Sequence, residues 1–233
     1  MPMKVIEVPG IGPVEAVKRK GNRSIKISIV PPGKVRLSLP YWTPYAAGIA
    51  FVQAKADWIK THLETQSVSP LQPGQAIGKA HHLRFEQSGT GEVITSRVRG
   101  GEVVVTYPPS LTWEAASVQA KARQASIRAM RKQAEGLLPA RLRRLAELHG
   151  FTYKSVAVKQ LKRRWGSCDQ HKNIVLNLYL MKLPWELIDY VLLHELNHTR
   201  HLNHSSAFWD DMALLLPNVP AIRKQMREQQ ASL

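Results

Sequence analysis

Alternating polar and apolar residues near the start of the chain predict a β-hairpin. Ser24–Val30 and Val35–Pro40 both alternate, and Pro31-Pro32-Gly33 between them supplies turn residues. The isoleucines of Ile25–Ile29 fall on one face of the first strand, because successive side chains of a strand point to opposite sides. We therefore expect a strand pair that buries one face.

A helical pattern follows the hairpin. From Thr43 to Gln66, apolar residues recur at intervals of three and four; these residues are Ile49, Val52, Ala56, Ile59 and Leu63. We interpret them as core residues of a helix. Ser67–Gly78 is rich in Pro, Gly, Gln and Ser, which is typical of a connection.

Three strands are predicted next, at His81–Gln87, Val93–Val98 and Glu102–Tyr107. Glycine-containing segments separate them, and Pro108-Pro109-Ser110 ends the run. We place a module boundary there, so that residues 1–110 form a β-rich N-terminal module.

Residues 111–233 combine helices with a few strands. A long helical zone covers Thr112–His149, with a break expected near Gly136–Pro139. Two strands are predicted at Phe151–Val158 and Ile174–Leu178, and a short polar helix at Val219–Gln230. The predicted fold class is α+β, with helices packed on a small antiparallel or mixed sheet.

Positive charge is concentrated in the long helical zone, and the whole chain carries a formal charge of +16. The zone's basic residues, Lys121, Arg123, Arg128, Arg131, Lys132, Arg141, Arg143 and Arg144, are accompanied by only Glu114, Glu135 and Glu147. More basic residues follow between Lys154 and Arg164. Such a helix is usually a solvated face, yet this density also fits contact with nucleic acid. Both interpretations stay open.

The cysteine content and the lengths of the apolar runs indicate the cellular compartment. Cys168 is the only cysteine, so the chain cannot form an internal disulfide, which fits a reducing environment. No apolar run reaches the ~20 residues of a membrane span, and the start has no apolar segment of a signal peptide. We expect a cytoplasmic protein that does not enter a membrane.

The strongest chemical signal is His194-Glu195-Leu196-Asn197-His198, an H-E-x-x-H motif that follows an apolar run. On a helix, residues four apart share a face, so His194 and His198 can bind one metal ion. Glu195 lies about 100° around the helix, where a carboxylate can take a proton from metal-bound water. Neutral imidazoles suit zinc. The alternative is a helix that carries two histidines by chance.

A hydrolytic zinc site usually has three protein ligands and an open position for water. His204 lies six residues beyond His198, and Asn203 before it favours a turn that brings the chain back to the metal. His201 is the rival, but on a straight helix it lies about 10 Å along the axis from His194. We therefore favour one Zn²⁺ held by His194, His198 and His204.

At this point the chain resembles the YgjP-like metallopeptidases, which are related to the SprT-like zincins. The resemblance covers roughly residues 150–215. It is carried by Arg164-Trp165-Gly166-Ser167-Cys168, Ile174-Val175-Leu176-Asn177, Pro184, Ile188-Asp189-Tyr190-Val191, the motif itself, Asn203-His204-Ser205 and Phe208-Trp209. It implies a zincin-like core, the same three zinc ligands and Glu195 as catalytic base. Asn197 departs from the family, where a small or apolar residue is usual, and could contact substrate or line the pocket edge.

The resemblance also implies a peptide or protein substrate. In zinc peptidases of this architecture an extended peptide adds to a sheet edge above the metal helix. Ile174–Asn177 or Arg164–Ser167 could be that edge. Trp165 and Cys168 are interpreted as packing residues.

Two functional hypotheses follow from these observations. The first is a metallopeptidase that hydrolyses peptide bonds with zinc-bound water activated by Glu195. The second is a basic protein associated with nucleic acid, whose zinc site has little or no hydrolytic activity. The two combine in a protease that acts on proteins bound to nucleic acid.

Overall fold

The structure, a computed structural model, describes residues 4–30, 33–65, 69–229 and 231. It is a mixture of helices and three small sheets, which confirms the predicted α+β class. The chain divides into two compact units, Met1–Ser69 and Pro70–Leu233. Each unit is built around its own hydrophobic core.

The first unit is a four-stranded sheet covered by two helices. Its strands are β1 (Lys4–Val8), β2 (Gly12–Arg19), β3 (Lys26–Val30) and β4 (Lys34–Pro40), in the order β1-β2-β4-β3; its helices are α1 (Tyr45–Ala54) and α2 (Ala56–Thr65). The antiparallel pairing of β3 with β4 confirms the predicted hairpin. Its turn residues Pro31 and Pro32 lie outside the described residues. The predicted helical stretch is two helices that meet at Lys55, and Gln66 is outside the described residues.

The second unit begins with a sheet of similar design. It contains β5 (Ala76–Ile77), β6 (His81–Gln87), β7 (Thr95–Arg99) and β8 (Glu102–Tyr107), in the order β5-β6-β8-β7. In both four-stranded sheets the central pair is parallel and the outer pairs are antiparallel. The three predicted strands are therefore present, with β7 starting two residues later than expected.

This sheet packs on the long helix α3 (Ala116–His149), and both belong to the compact unit Pro70–Leu233. The module boundary at residue 110 stays a prediction. Val103 and Val105 of β8 belong to the same buried core as Ala122 and Met130 of α3. Polar contacts also connect the two: the buried side chain of Gln133 donates to the carbonyl of Ile77 at 2.9 Å. The strands are thus part of the second unit's core.

The predicted break in α3 near Gly136–Pro139 is wrong. The helix runs without interruption through Pro139 to His149 and ends at Gly150, which adopts the left-handed conformation. Its buried face continues across the proline through Ala134, Leu138 and Leu142. Burial of this stripe offsets the loss of one backbone hydrogen bond.

The rest of the second unit carries the elements that form the candidate site. Strands β9 (Ser155–Lys159), β10 (Gly166–Cys168) and β11 (Asn173–Asn177) form a sheet in the order β10-β11-β9. A 3-10 helix follows (Leu178–Lys182), then α4 (Trp185–Asn197), α5 (Ser206–Leu215) and α6 (Val219–Glu228). No helix in the described ranges combines the length and apolar character that a membrane span needs.

Candidate metal centre

The last turn of α4 and the cap that follows it carry the first two histidines. The face of α4 opposite the solvent is buried through Leu192, Leu193 and Leu196, so the helix is fixed by the core. His194 is in the last turn and His198 is the C-cap, with their ring centroids 4.8 Å apart. The i, i+4 spacing therefore places both imidazoles on one face.

The segment after α4 turns back and brings His204 to the same place. Its ring centroid lies 4.9 Å from that of His194 and 4.7 Å from that of His198. One ring nitrogen from each of the three lies within 4.8 Å of the others, and the Nε2 atoms of His204 and His194 are 3.0 Å apart. Two nitrogens that share a zinc lie at most about 4.2 Å apart, so small side-chain movements suffice for one ion.

Two aromatic residues of α5 hold the three rings in place. Phe208 is fully buried, and its centroid lies 4.8–4.9 Å from all three imidazoles. Trp209 stacks on His204, with centroids 5.5 Å apart and an angle of 21° between the planes. Packing on both sides restricts the rotation of His204, the one ring that is not on α4.

The surroundings keep His194 neutral. Burial, with the nearby His198 and His204, lowers the pKa of His194 to about 3. Its Nδ1 atom is buried and has no hydrogen-bond partner in the described part of the chain. A neutral imidazole is the form that binds zinc.

A hydrogen bond sets the orientation of His198. Its Nδ1 lies 2.9 Å from the carbonyl oxygen of His201, to which a protonated Nδ1 donates. The Nε2 atom is then unprotonated and free to bind a metal.

His201 itself is directed elsewhere. Its Nε2 lies 2.7 Å from a carboxylate oxygen of Asp211 on α5, and it is not one of the three clustered histidines. The carboxylate of Asp211 therefore orients His201, whereas Asp210 is exposed.

Glu195 is buried between α4 and the short strand β10. Only 5% of its surface is exposed, and its Oε2 atom has no hydrogen-bond partner among the residues that the structure describes. Burial raises its pKa to about 8, although Arg164 opposes this shift. A dication nearby would favour the ionised carboxylate and lower this pKa. An unpartnered buried carboxylate beside three imidazoles fits a metal site.

Glu195 reaches this position because residue 166 has no side chain. A β-carbon added to Gly166 would lie 2.7 Å from both Cγ and Oε1 of Glu195, closer than β-carbons approach other atoms. Sequence reasoning missed this role, although the glycine stands in the quoted segment Arg164–Cys168. The role of Gly166 is apparent only from the packing of β10 against α4.

Asn197, the residue that departs from the family pattern, is fully buried and does not face a substrate. Its Nδ2 donates to the carbonyl oxygen of Phe208 at 2.9 Å. The side chain therefore ties the end of α4 to α5.

Strand β10 is one of the two outer strands of its sheet within the described residues. Trp165 and Asp169 make backbone hydrogen bonds to β11 at 2.8 and 3.1 Å, so the alternation of an antiparallel pair directs the backbone groups of Gly166 and Cys168 outwards. Trp165 and Cys168 also pack against the core. Burial, with nearby Glu195 and Asp169, raises the pKa of the Cys168 thiol to about 11, so this thiol is unreactive.

Three clustered imidazoles beside a buried glutamate are typical of metal-dependent peptidases. A scan against protein families matches residues 23–229 to the YgjP-like metallopeptidase domain. The chain therefore belongs to the YgjP-like metallopeptidase family, as the resemblance implied.

Comparison with solved structures finds the metallopeptidase zymogen abylysin of Pyrococcus abyssi, at 23% sequence identity and a TM-score of 0.36. The match covers 39% of this chain and 91% of that one. A search of curated proteins finds no match.

Proposed function

We propose that this protein is a zinc-dependent peptidase in which His194, His198 and His204 hold one Zn²⁺ and Glu195 is the general base. The observation that carries the proposal is the convergence of three ring nitrogens within 4.8 Å beside a buried carboxylate. Three nitrogen ligands leave one position of a tetrahedral zinc open, as in hydrolytic rather than structural sites.

Each group has a defined part in the proposed reaction. Bound zinc supplies a Lewis acid that polarises the peptide carbonyl and lowers the pKa of water. The carboxylate of Glu195 accepts a proton from the attacking water and later delivers it to the leaving amine. Because Gly166 has no side chain, the carboxylate of Glu195 lies against β10, at the edge where we propose that the substrate binds.

The proposed substrate is an extended peptide that adds to β10. Gly166, whose N–H and C=O groups point outwards, lies against Glu195, so a peptide paired with this edge would present its backbone to the base. Because backbone groups are common to all peptides, this mode of binding alone accepts many sequences.

Replacement of the base separates chemistry from metal binding. Glu195→Gln keeps the three histidines and should retain zinc, while kcat falls by ~10²–10⁴-fold because the proton acceptor is lost. Glu186→Gln, an exposed residue of the same helix, is the control and should leave both properties unchanged. Zinc content and hydrolysis of a quenched fluorescent peptide are measured together. Wild-type turnover by Glu195→Gln would show that another residue is the base.

A second candidate function is association with nucleic acid. Several exposed basic residues on α3 and before β10 have no ion-pair partner among the described residues; they are Arg143, Arg144, Lys159, Lys162 and Arg163. This density of exposed positive charge favours a peptidase that acts on proteins bound to DNA or RNA.

Salt dependence tests this second candidate. Binding of a DNA duplex should weaken steeply with salt, and a Lys162→Gln/Arg163→Gln variant should lower the slope of log K against log salt by ~0.9 for each lost phosphate contact. His194→Ala should bind DNA as the wild type does. If the double variant has the same slope of log K against log salt as the wild type, Lys162 and Arg163 do not contact the nucleic acid.

A further inference from the structure

A pocket opens beside the third histidine, on the side of α6. It has a volume of about 500 Å³ and is lined by Tyr190, His204, Trp209, Arg223, Met226 and Arg227. One of the lining residues, His204, therefore belongs to the proposed metal centre. The pocket does not include Glu195 or β10, so it is additional to the catalytic groups described above.

Helix α6 presents two guanidinium groups to this pocket. Its buried side, formed by Val219, Ile222 and Met226, fixes the helix on the core. Arg223 and Arg227 are four residues apart and hence on one face. Among the described residues no carboxylate forms an ion pair with either side chain.

Stacking fixes Arg223 close to the metal centre. Its guanidinium carbon lies 3.9 Å from the centroid of the Trp209 ring, and Trp209 in turn stacks on His204. The stack of Arg223 on Trp209 and of Trp209 on His204 therefore places a positive charge next to the proposed metal centre.

We infer that this pocket binds a carboxylate of the substrate next to the cleaved bond, held by Arg223 and Arg227. Guanidinium groups bind carboxylates with paired, charge-assisted hydrogen bonds. The apolar surfaces of Trp209 and Met226 suit the short aliphatic stem that carries such a group. This inference rests on the proposed function, to which it adds a substrate class: peptides with an acidic side chain or a free C-terminus near the scissile bond.

Peptides that differ only in this group test the inference. The zinc-loaded protein is given three versions of one quenched fluorescent peptide: glutamate beside the cleaved bond with an amidated end, glutamine with an amidated end, and glutamine with a free carboxylate at the end. One of the two acidic versions should have a kcat/KM at least about tenfold above the neutral one, mainly through KM. Which version it is identifies the source of the carboxylate.

Variants of α6 show whether the arginines are responsible. In Arg223→Gln/Arg227→Gln the ratio of acidic to neutral kcat/KM should fall to near one. Arg227→Glu changes an exposed residue and should shift the preference towards a lysine peptide. Lys224→Gln is the matched control, because Lys224 is exposed on the same helix and does not line the pocket. Equal rates for all three peptides in the wild type, or a preference that survives the double variant, would overturn the inference.

A binding measurement separates this inference from the proposed peptidase activity. Glu195→Gln protein is titrated with the same peptides, using the fluorescence of tryptophan as the signal. Tighter binding of an acidic peptide that depends on Arg223 and Arg227 supports the pocket even if no peptide is cleaved, in which case the peptidase proposal fails. Cleavage without any preference for acidic peptides would support the peptidase activity and contradict the proposed role of the pocket.

Discussion

At the scale of single residues, the proposed chemistry depends on one close approach. Gly166 and Glu195 are 29 positions apart, yet an added β-carbon at 166 would meet the carboxylate at 2.7 Å. The three histidines could be proposed from the sequence because they lie within one short segment. The role of Gly166 could not, because it depends on how a strand packs against a helix.

Gly166→Ala should lower kcat by ~100-fold, because a carboxylate displaced by about 1 Å no longer meets the reacting groups. Zinc content should stay at the wild-type level, since β10 carries none of the proposed ligands. A peptidase assay and metal analysis on the same sample check both expectations.

Gly136→Ala is the control for that substitution. Gly136 is exposed within α3 and an added β-carbon would meet nothing within 4 Å. Alanine should therefore stabilise the protein by ~0.5–1 kcal/mol in urea unfolding and leave activity unchanged. Near wild-type activity in Gly166→Ala would contradict the proposed position of Glu195.

At the scale of elements, α3 shows where sequence patterns mislead. A proline normally ends or kinks a helix, yet here the buried face continues on both sides of Pro139. The strands β6, β7 and β8 were predictable because short segments that contain glycine or proline separate them, and because β8 is rich in β-branched residues. Strands β1 and β2 precede the predicted hairpin and were not anticipated from the sequence pattern.

The contact between α3 and α4 gives a prediction at this scale. Arg141 forms a two-fold hydrogen-bonded ion pair with Asp189, and its guanidinium carbon lies 4.5 Å from the centroid of the Trp185 ring. Because both partners are partly buried, Arg141→Met should cost ~1–2 kcal/mol in the free energy of unfolding.

Urea denaturation measures this cost, with Arg144→Met as the matched control. Arg144 is exposed on the same helix and forms no ion pair in the described structure, so its loss should change stability little. Equal effects of the two substitutions would show that the pair with Asp189 does not stabilise the packing of α4.

At the scale of the whole molecule, the two four-stranded sheets belong to different compact units. In the sequence, Pro108-Pro109-Ser110 is the clear stop after the predicted strands, and it favoured a single β-rich module up to residue 110. In fact the second sheet covers α3, and Gln119 and Gln133 of that helix hydrogen-bond to the backbone of Leu71 and Ile77. Such long-range pairs leave no local pattern in the sequence.

This division predicts which fragment folds. Residues 70–233 should unfold in one cooperative transition when produced alone, because they contain a complete core. A fragment of residues 111–233 exposes the face of α3 that packs on β8, and should lack a cooperative transition. Circular dichroism during thermal unfolding distinguishes the two, and a cooperative transition in the shorter fragment would favour the boundary at residue 110.

The most direct test of the account is the zinc affinity of single histidine variants, measured by competition with a chromophoric chelator. We expect one zinc for each wild-type chain and a loss of affinity well above ~100-fold in His194→Ala, His198→Ala and His204→Ala, because each removes a direct ligand. His201→Ala should lose no more than the ~10–100-fold typical of a supporting residue. Retention of zinc by His204→Ala together with its loss from His201→Ala would contradict the proposed metal centre.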